Sequence, residues 1–277
     1  MGATGCRFAQ VDVFGEGTGY GNPVAVVIDA DGLDEAAMRR FANWTNLSET
    51  TFLLPSTDPG ADYRVRIFTP RQELPFAGHP TLGSAHAWLE ARGEPGRDRL
   101  VQECAVGLVE LRRDDSGRLA FAGPPLVRSG PLEEATLELI VATLGLEREE
   151  IVDHAWTDNG PGWATVLLDS AERVLALKPT PRAPLDVGVV GLHPDGTPEL
   201  RGLVVDDGGL WEDPVTGSLN AGVAQWLLET GRLTAPYVAH QGTALGRAGR
   251  VYVDRDADGV VWVGGQTRTV VTGTVSP

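Results

Sequence analysis

Two segments far apart in this chain follow one layout, and that repetition limits the fold more than any other feature. In the first, Phe76-Ala77-Gly78-His79-Pro80-Thr81 leads into a run with Ala85, Trp88 and Leu89 at helical spacing. In the second, Glu212-Asp213-Pro214-Val215-Thr216-Gly217-Ser218 leads into Leu219, Val223, Trp226 and Leu227, again at helical spacing. Laid on one another, Trp88 meets Trp226, Leu89 meets Leu227 and Gly93 meets Gly231. The spacing predicts a duplicated half with a glycine-rich entry into a helix in each copy. Ser218 reads as the N-cap of the second helix. Helix starts leave backbone N–H groups free and attract anions, so two facing starts would make a cleft for a small carboxylate ligand. Asp213, a carboxylic acid beside one start, is placed to work on a proton. In the plainer reading, Asp213 and Ser218 only cap a helix.

At 277 residues the chain has room for two domains of about 140 residues, each with its own core. Pro124-Pro125 marks the boundary, giving halves 1–124 and 125–277, with a terminal strand able to cross back. Strand-like runs cover Arg7–Phe14, Pro23–Ile28, Thr50–Leu54, Asp62–Thr69, Leu100–Cys104, Gly107–Arg112 and Arg118–Ala122. Others cover Trp163–Leu168, Leu185–Val190, Leu200–Val205, Arg250–Asp254, Val260–Val263 and Thr267–Val271. Helices are predicted over Asp34–Asn43, with Asp34 as its cap and Ala37, Met38 and Phe41 on one face, and over Leu132–Leu144. Strands outnumber helices without alternating regularly with them. The class is therefore α+β, two pseudo-symmetric domains, each a mostly antiparallel curved sheet around a central helix.

Charge and composition remove several functions. A net charge of −15 argues against nucleic acid, which needs a basic surface. No apolar run reaches the ~20 residues of a membrane span, and the short start from Met1 to Phe8 shows no signal peptide, so a cytoplasmic protein is expected. Lys178 is the only lysine and precedes a proline, which disfavours Schiff-base chemistry. Cys6 and Cys104 lie in or beside strands and read as small buried hydrophobes. The five histidines show no ligand spacing, so no metal is expected; His86 reads as structural, and His154 and His193 have no motif around them. The string Gly15-Glu16-Gly17-Thr18-Gly19-Tyr20-Gly21 has Tyr20 where a dinucleotide fingerprint needs glycine, and a strand follows it; it reads as a mobile loop.

Glu49, just ahead of apolar residues, would by itself read as a surface glutamate. Its setting is more specific. Val11-Asp12-Val13-Phe14, Gly21-Asn22-Pro23-Val24-Ala25-Val26-Val27, Leu47-Ser48-Glu49-Thr50-Thr51-Phe52 and Arg66-Ile67-Phe68-Thr69-Pro70 come first. Glu73-Leu74-Pro75-Phe76-Ala77-Gly78-His79-Pro80-Thr81, the Glu212–Ser218 segment, and His240-Gln241-Gly242 to Gly246-Arg247 follow. In this order, over nearly the whole chain, they resemble the phenazine-biosynthesis PhzF-like family of the diaminopimelate epimerase-like superfamily.

The resemblance implies acid–base catalysis on a small carboxylated metabolite, without cofactor or metal, in a homodimer. It implies Glu49 as general acid/base, with His79, Asp213 and Ser218 as polar partners. Asn22, Ser48, Gly78 and Gly217 fall at substrate-binding positions. Superfamily racemases carry a cysteine in each glycine loop; neither Cys6 nor Cys104 lies in one, which argues against thiol-based racemisation. Upstream of Asp213, where the family usually has an Arg-Phe-x-Pro-like segment, this chain runs Leu200 to Trp211, and Trp211 is expected to reshape the pocket. The expected activity is a cofactor-independent proton shift on a cyclic or unsaturated carboxylic acid. The alternatives are C–C hydrolysis or lysis at the same site, and a catalytically silent ligand-binding protein.

Overall fold

The computed structural model describes residues 5–206 and 208–277. The start of the chain, read as lacking a signal peptide, and Asp207 of the lead-in to Asp213 lie outside them. The chain forms two compact units, one of residues up to Ala122 together with Gly264–Pro277, the other Gly123–Val263.

In the first unit the elements are β1 (Cys6–Val13), β2 (Asn22–Ile28), α1 (Glu35–Thr45), β3 (Glu49–Leu54), β4 (Tyr63–Phe68), β5 (Glu73–Leu74), α2 (Gly78–Arg92), β6 (Arg99–Cys104), β7 (Gly107–Arg113) and β8 (Leu119–Ala122). Strand β1 pairs antiparallel with β2, and β2 pairs parallel with β3 across α1. Strand β4 runs antiparallel to β3 and β5 and parallel to β6, which lies beyond α2; β6 is then antiparallel to β7.

The second unit contains β9 (Arg128–Gly130), α3 (Glu134–Leu144), β10 (Asp153–Asp158), β11 (Ala164–Leu167), α4 (Ala171–Ala176), β12 (Val187–Leu192), β13 (Pro198–Asp206), β14 (Gly209–Asp213), α5 (Gly217–Glu229), β15 (Tyr237–Gln241), β16 (Gly249–Arg255) and β17 (Val261–Gly265). Its order of pairings repeats the first. Strand β10 is antiparallel to β11, and β11 is parallel to β12 across α4. Strand β13 is antiparallel to β12 and β14 and parallel to β15 beyond α5, and β15 is antiparallel to β16. A final strand, β18 (Thr267–Val275), belongs to the first unit and lies antiparallel to β1. The fold is mixed α+β, and the shared pairing order is the duplication that the two glycine entries announce.

Helix α2 touches β1, β2, β3, β6, β8 and β18, so it is enclosed rather than lying on a face. A Cβ on Gly83 would sit 2.3 Å from Val24 Cγ1, which is why the helix and β2 need glycine there. In α5, a Cβ on Gly222 would sit 2.2 Å from the Thr157 carbonyl oxygen. Apolar side chains fill each unit: Phe41, Phe52 and Phe68 in the first, Leu137, Ile140 and Val189 in the second.

Two local expectations fail. Ser218 is not the N-cap of α5; that residue is Thr216, and Ser218 already lies inside the first turn. The Gly15–Gly21 string is pinned rather than loose, because the buried Asp12 carboxylate accepts from Gly19 N at 2.6 Å and Gly21 N at 3.0 Å. Asp34 caps α1 as expected, accepting from Ala37 N at 2.8 Å.

Candidate active site

Three polar residues of the first unit converge because each begins an element: Asn22 opens β2, Glu49 opens β3 and His79 is the second residue of α2. Strands β2 and β3 are parallel neighbours with Val24 beside Glu49, so Asn22 and Glu49 arrive at the same end of the sheet. His79 Nε2 lies 3.2 Å from Glu49 Oε2, and Asn22 Nδ2 lies 3.2 Å from His79 Nδ1. The Asn22 side chain thus holds the catalytic histidine candidate. Asn22 holds one ring nitrogen while the other faces the Glu49 carboxylate.

The His79 side chain is only 4% exposed and that of Glu49 14% exposed, so both work largely out of water. Burial lowers the His79 pKa to about 3, against a weaker upward pull from the Pro23 carbonyl. His79 is therefore a neutral imidazole at ordinary pH. A cation in that place would stabilise the Glu49 carboxylate and weaken it as a base; a neutral imidazole leaves it more basic.

Buried side chains fix the first turn of α2. Gln102 on β6 donates to Thr81 Oγ1 at 3.0 Å and accepts from the Tyr63 hydroxyl at 3.1 Å. The second unit has its own version. Gln241 on β15 accepts from Asn220 Nδ2 at 2.8 Å and from Thr216 N at 3.0 Å, and donates to Thr216 Oγ1 at 2.9 Å. Thr216 Oγ1 donates in turn to Asp213 Oδ2 at 2.6 Å. In both units, then, a glutamine on the strand after the helix grips the helix's fourth residue. Neither glutamine carries a local sequence signal for this role, although Gln241 stands in the His240-Gln241-Gly242 segment.

Asp213 is buried at the end of β14, while its neighbour Glu212 alternates to the other face and pairs with the buried Arg201 at 2.6 Å. The two neighbouring acids at this strand end therefore do different things. Ser218 Oγ accepts from Trp163 Nε1 at 3.1 Å, and Asn159 Nδ2 donates to the Ser218 carbonyl at 2.8 Å. Gly78 and Gly217 are the first residues of α2 and α5, and neither helix start has a side-chain cap bond. Ala77, the N-cap of α2, has no side-chain acceptor to offer. Glycine-led, uncapped starts suit an anion. Ser48 is half-buried ahead of β3.

Other candidates resolve as structure. Burial pushes the Cys6 and Cys104 thiols up, away from reactive thiolate. His86 contacts Thr267 and Thr269 through its two ring nitrogens. Trp211 is exposed on β14 and donates to Asp206 Oδ2 at 3.1 Å, at a hairpin tip.

The phenazine biosynthesis-like protein family model, PhzC-PhzF, matches residues 11–274. The chain belongs to the PhzF family. It is 34% identical to the trans-2,3-dihydro-3-hydroxyanthranilate isomerase of Pseudomonas aeruginosa, over 91% of each chain. It is also 34% identical to antisense-enhancing sequence 1 of Schizosaccharomyces pombe, covering 96% of this chain and 97% of that one. The structure of a predicted epimerase from Pseudomonas aeruginosa superposes with a TM-score of 0.80 at 31% identity, over 98% of this chain and 99% of the other. Isomerase is the class of enzyme that these family relatives support. Among the described residues, no helix is long and apolar enough to cross a membrane.

Proposed function

We propose that this PhzF-family member catalyses a proton shift on a small cyclic or unsaturated carboxylic acid by acid–base chemistry, with Glu49 as the base. The observation that carries this is the Glu49–His79 contact, a screened carboxylate facing a buried, neutral imidazole. Glu49 takes a proton from carbon and returns it to another carbon of the conjugated system. His79 orients the carboxylate, and Asn22 holds His79. One carboxylate suits transfer along one face of the substrate; inversion at a single centre needs two opposed groups. The amides that open α2 at Gly78 would hold a substrate carboxylate, with Ser48 nearby in sequence to Glu49. In the second unit, taken by itself, Asp213, Ser218 and the amides at Gly217 are the matching polar and anion-binding groups of this proposal.

The compound named for the Pseudomonas aeruginosa relative is the first substrate to test, followed by other unsaturated ring carboxylates. Glu49→Gln keeps shape and removes proton acceptance, so turnover should fall roughly 10²–10⁴-fold with ligand binding retained. Near-normal turnover would remove Glu49 from the mechanism. Product mass separates the rival hydrolysis: a proton shift leaves the substrate's composition unchanged, whereas C–C hydrolysis adds the elements of water across the cleaved bond.

A further inference from the structure

The β12–β13 hairpin and β15 bring together three side chains that the proposed reaction does not use. His193 follows β12, Glu199 lies on β13, and the parallel β13–β15 register sets His240 directly beside Glu199. His193 Nε2 is 3.1 Å from Glu199 Oε2, and His240 Nδ1 is 3.9 Å from the same oxygen. One donor atom from each residue falls within 4.8 Å of the others. Donors on a tetrahedral zinc ion, at 2.0–2.1 Å from the metal, stand about 3.3 Å apart. Two of the observed separations, 3.1 and 3.9 Å, bracket that value, so adjustment of the side chains closes the set on an ion.

Glu199 makes the second, independent point. Its side chain is 1% exposed, and its Oε1 is a buried oxygen with no hydrogen-bond partner. Among the described residues its ion-pair contacts are two imidazoles. Burying a carboxylate without a strong counter-charge is unfavourable, and a metal ion supplies that charge and a partner for the second oxygen. A groove of about 570 Å³, lined in part by Asp169, Glu172 and Leu192, opens at His193.

We propose that His193, Glu199 and His240 bind one divalent transition-metal ion of the zinc class, with water completing its coordination. Two imidazoles and a carboxylate form a donor set that zinc accepts readily. The ion staples β13 to β15. Side chains alternate along a strand, so His240 and Gln241 face opposite ways. A clamp on His240 therefore steadies the strand whose next residue holds Thr216 and Asn220. The site shares no side chain with the Glu49–His79 pair, so its role is structural and independent of the proposed reaction.

The test uses the full chain, free of any histidine tag, stripped with chelator and titrated with Zn²⁺ by calorimetry and Co²⁺ by visible absorption. One ion per chain is expected, with a four-coordinate cobalt spectrum and a Tm that rises with added zinc. Because the histidines are only part-buried, His193→Gln and His240→Gln should fold, as near-native circular dichroism would show. Each should lose stoichiometric binding and the thermal shift, while His154→Gln keeps both. Failure of the wild type to bind one ion per chain, or binding undiminished in the double His193→Gln, His240→Gln variant, overturns the proposal. Glu49→Gln should bind the ion as the wild type does, so the metal result stands apart from the fate of the isomerase assignment.

Discussion

The burial of His79 makes the first unit acid-sensitive by an amount that can be worked out. Unfolded, its imidazole titrates near 6.5; folded, burial holds it at about 3. Between pH 7 and pH 5 the unfolded ring passes from mostly neutral to almost fully protonated, while the folded ring stays neutral. The unfolded state therefore binds more protons as pH falls through 6.5, and stability drops. For this one group the loss between pH 7 and pH 5 is about 2 kcal/mol. In His79→Gln the titrating ring is gone and that contribution vanishes, whatever the substitution does to packing. Urea unfolding of both proteins at the two pH values, followed by tryptophan fluorescence and circular dichroism, reads the difference. Trp88, on the same helix, reports the unit concerned. Whatever its stability at pH 7, the variant should lose about 2 kcal/mol less on acidification. If wild type and variant lose the same stability, the ring is not held neutral, and the basicity argument for Glu49 fails with it.

Two further expectations concern the second unit. Burial raises Asp186 to about 6, a shift that disfavours the folded state above that pH. Asp186→Asn should therefore stabilise the chain at pH 8 by on the order of 2 kcal/mol, with the gain fading as pH falls below 6, measured as Tm across the range. Gly222→Ala should destabilise by about 1–3 kcal/mol, because its Cβ meets the Thr157 backbone oxygen, while Gly32→Ala, with nothing within 4 Å, should be near neutral. Equal denaturation midpoints for the two alanine variants would contradict that packing.

The parts legible in the sequence are those with local signals. Strands β1 to β4 show apolar periodicity, Asp34 announces its cap, and the repeated glycine entries give both central helices. The elements missed are β5, β9, β10, β14, β15 and α4. Strands β5 and β9 have two and three residues, too few for a period. Strand β14 hides in a glycine-rich stretch ending at Asp213, and β10 is largely polar. Glu49 was legible only through family likeness, since nothing around it signals that Asn22 and His79 converge nearby. Ser218 reads as a cap because a serine before an apolar run satisfies the local rule. Only tertiary contacts show Trp163 using its oxygen and Thr216 standing at the boundary. The His193, Glu199 and His240 cluster depends on a parallel register between strands separated by a whole helix, which no linear spacing encodes.

The pairing of β1 with β18 has a consequence for how this molecule emerges from the ribosome. Cys6 lies opposite Val275 and Val13 opposite Thr267, so the strand made first is bordered along its whole length by one made after the entire second unit. The second unit, Gly123–Val263, is continuous in sequence and can close as soon as it is synthesised. The first unit waits with one margin of β1 unpaired, a template open to the wrong strand. Completion thus runs against the usual N-terminal-first order of synthesis. A stop codon or frameshift just after Gly265 would spare nearly all of the second unit while leaving the Glu49-bearing unit unfinished.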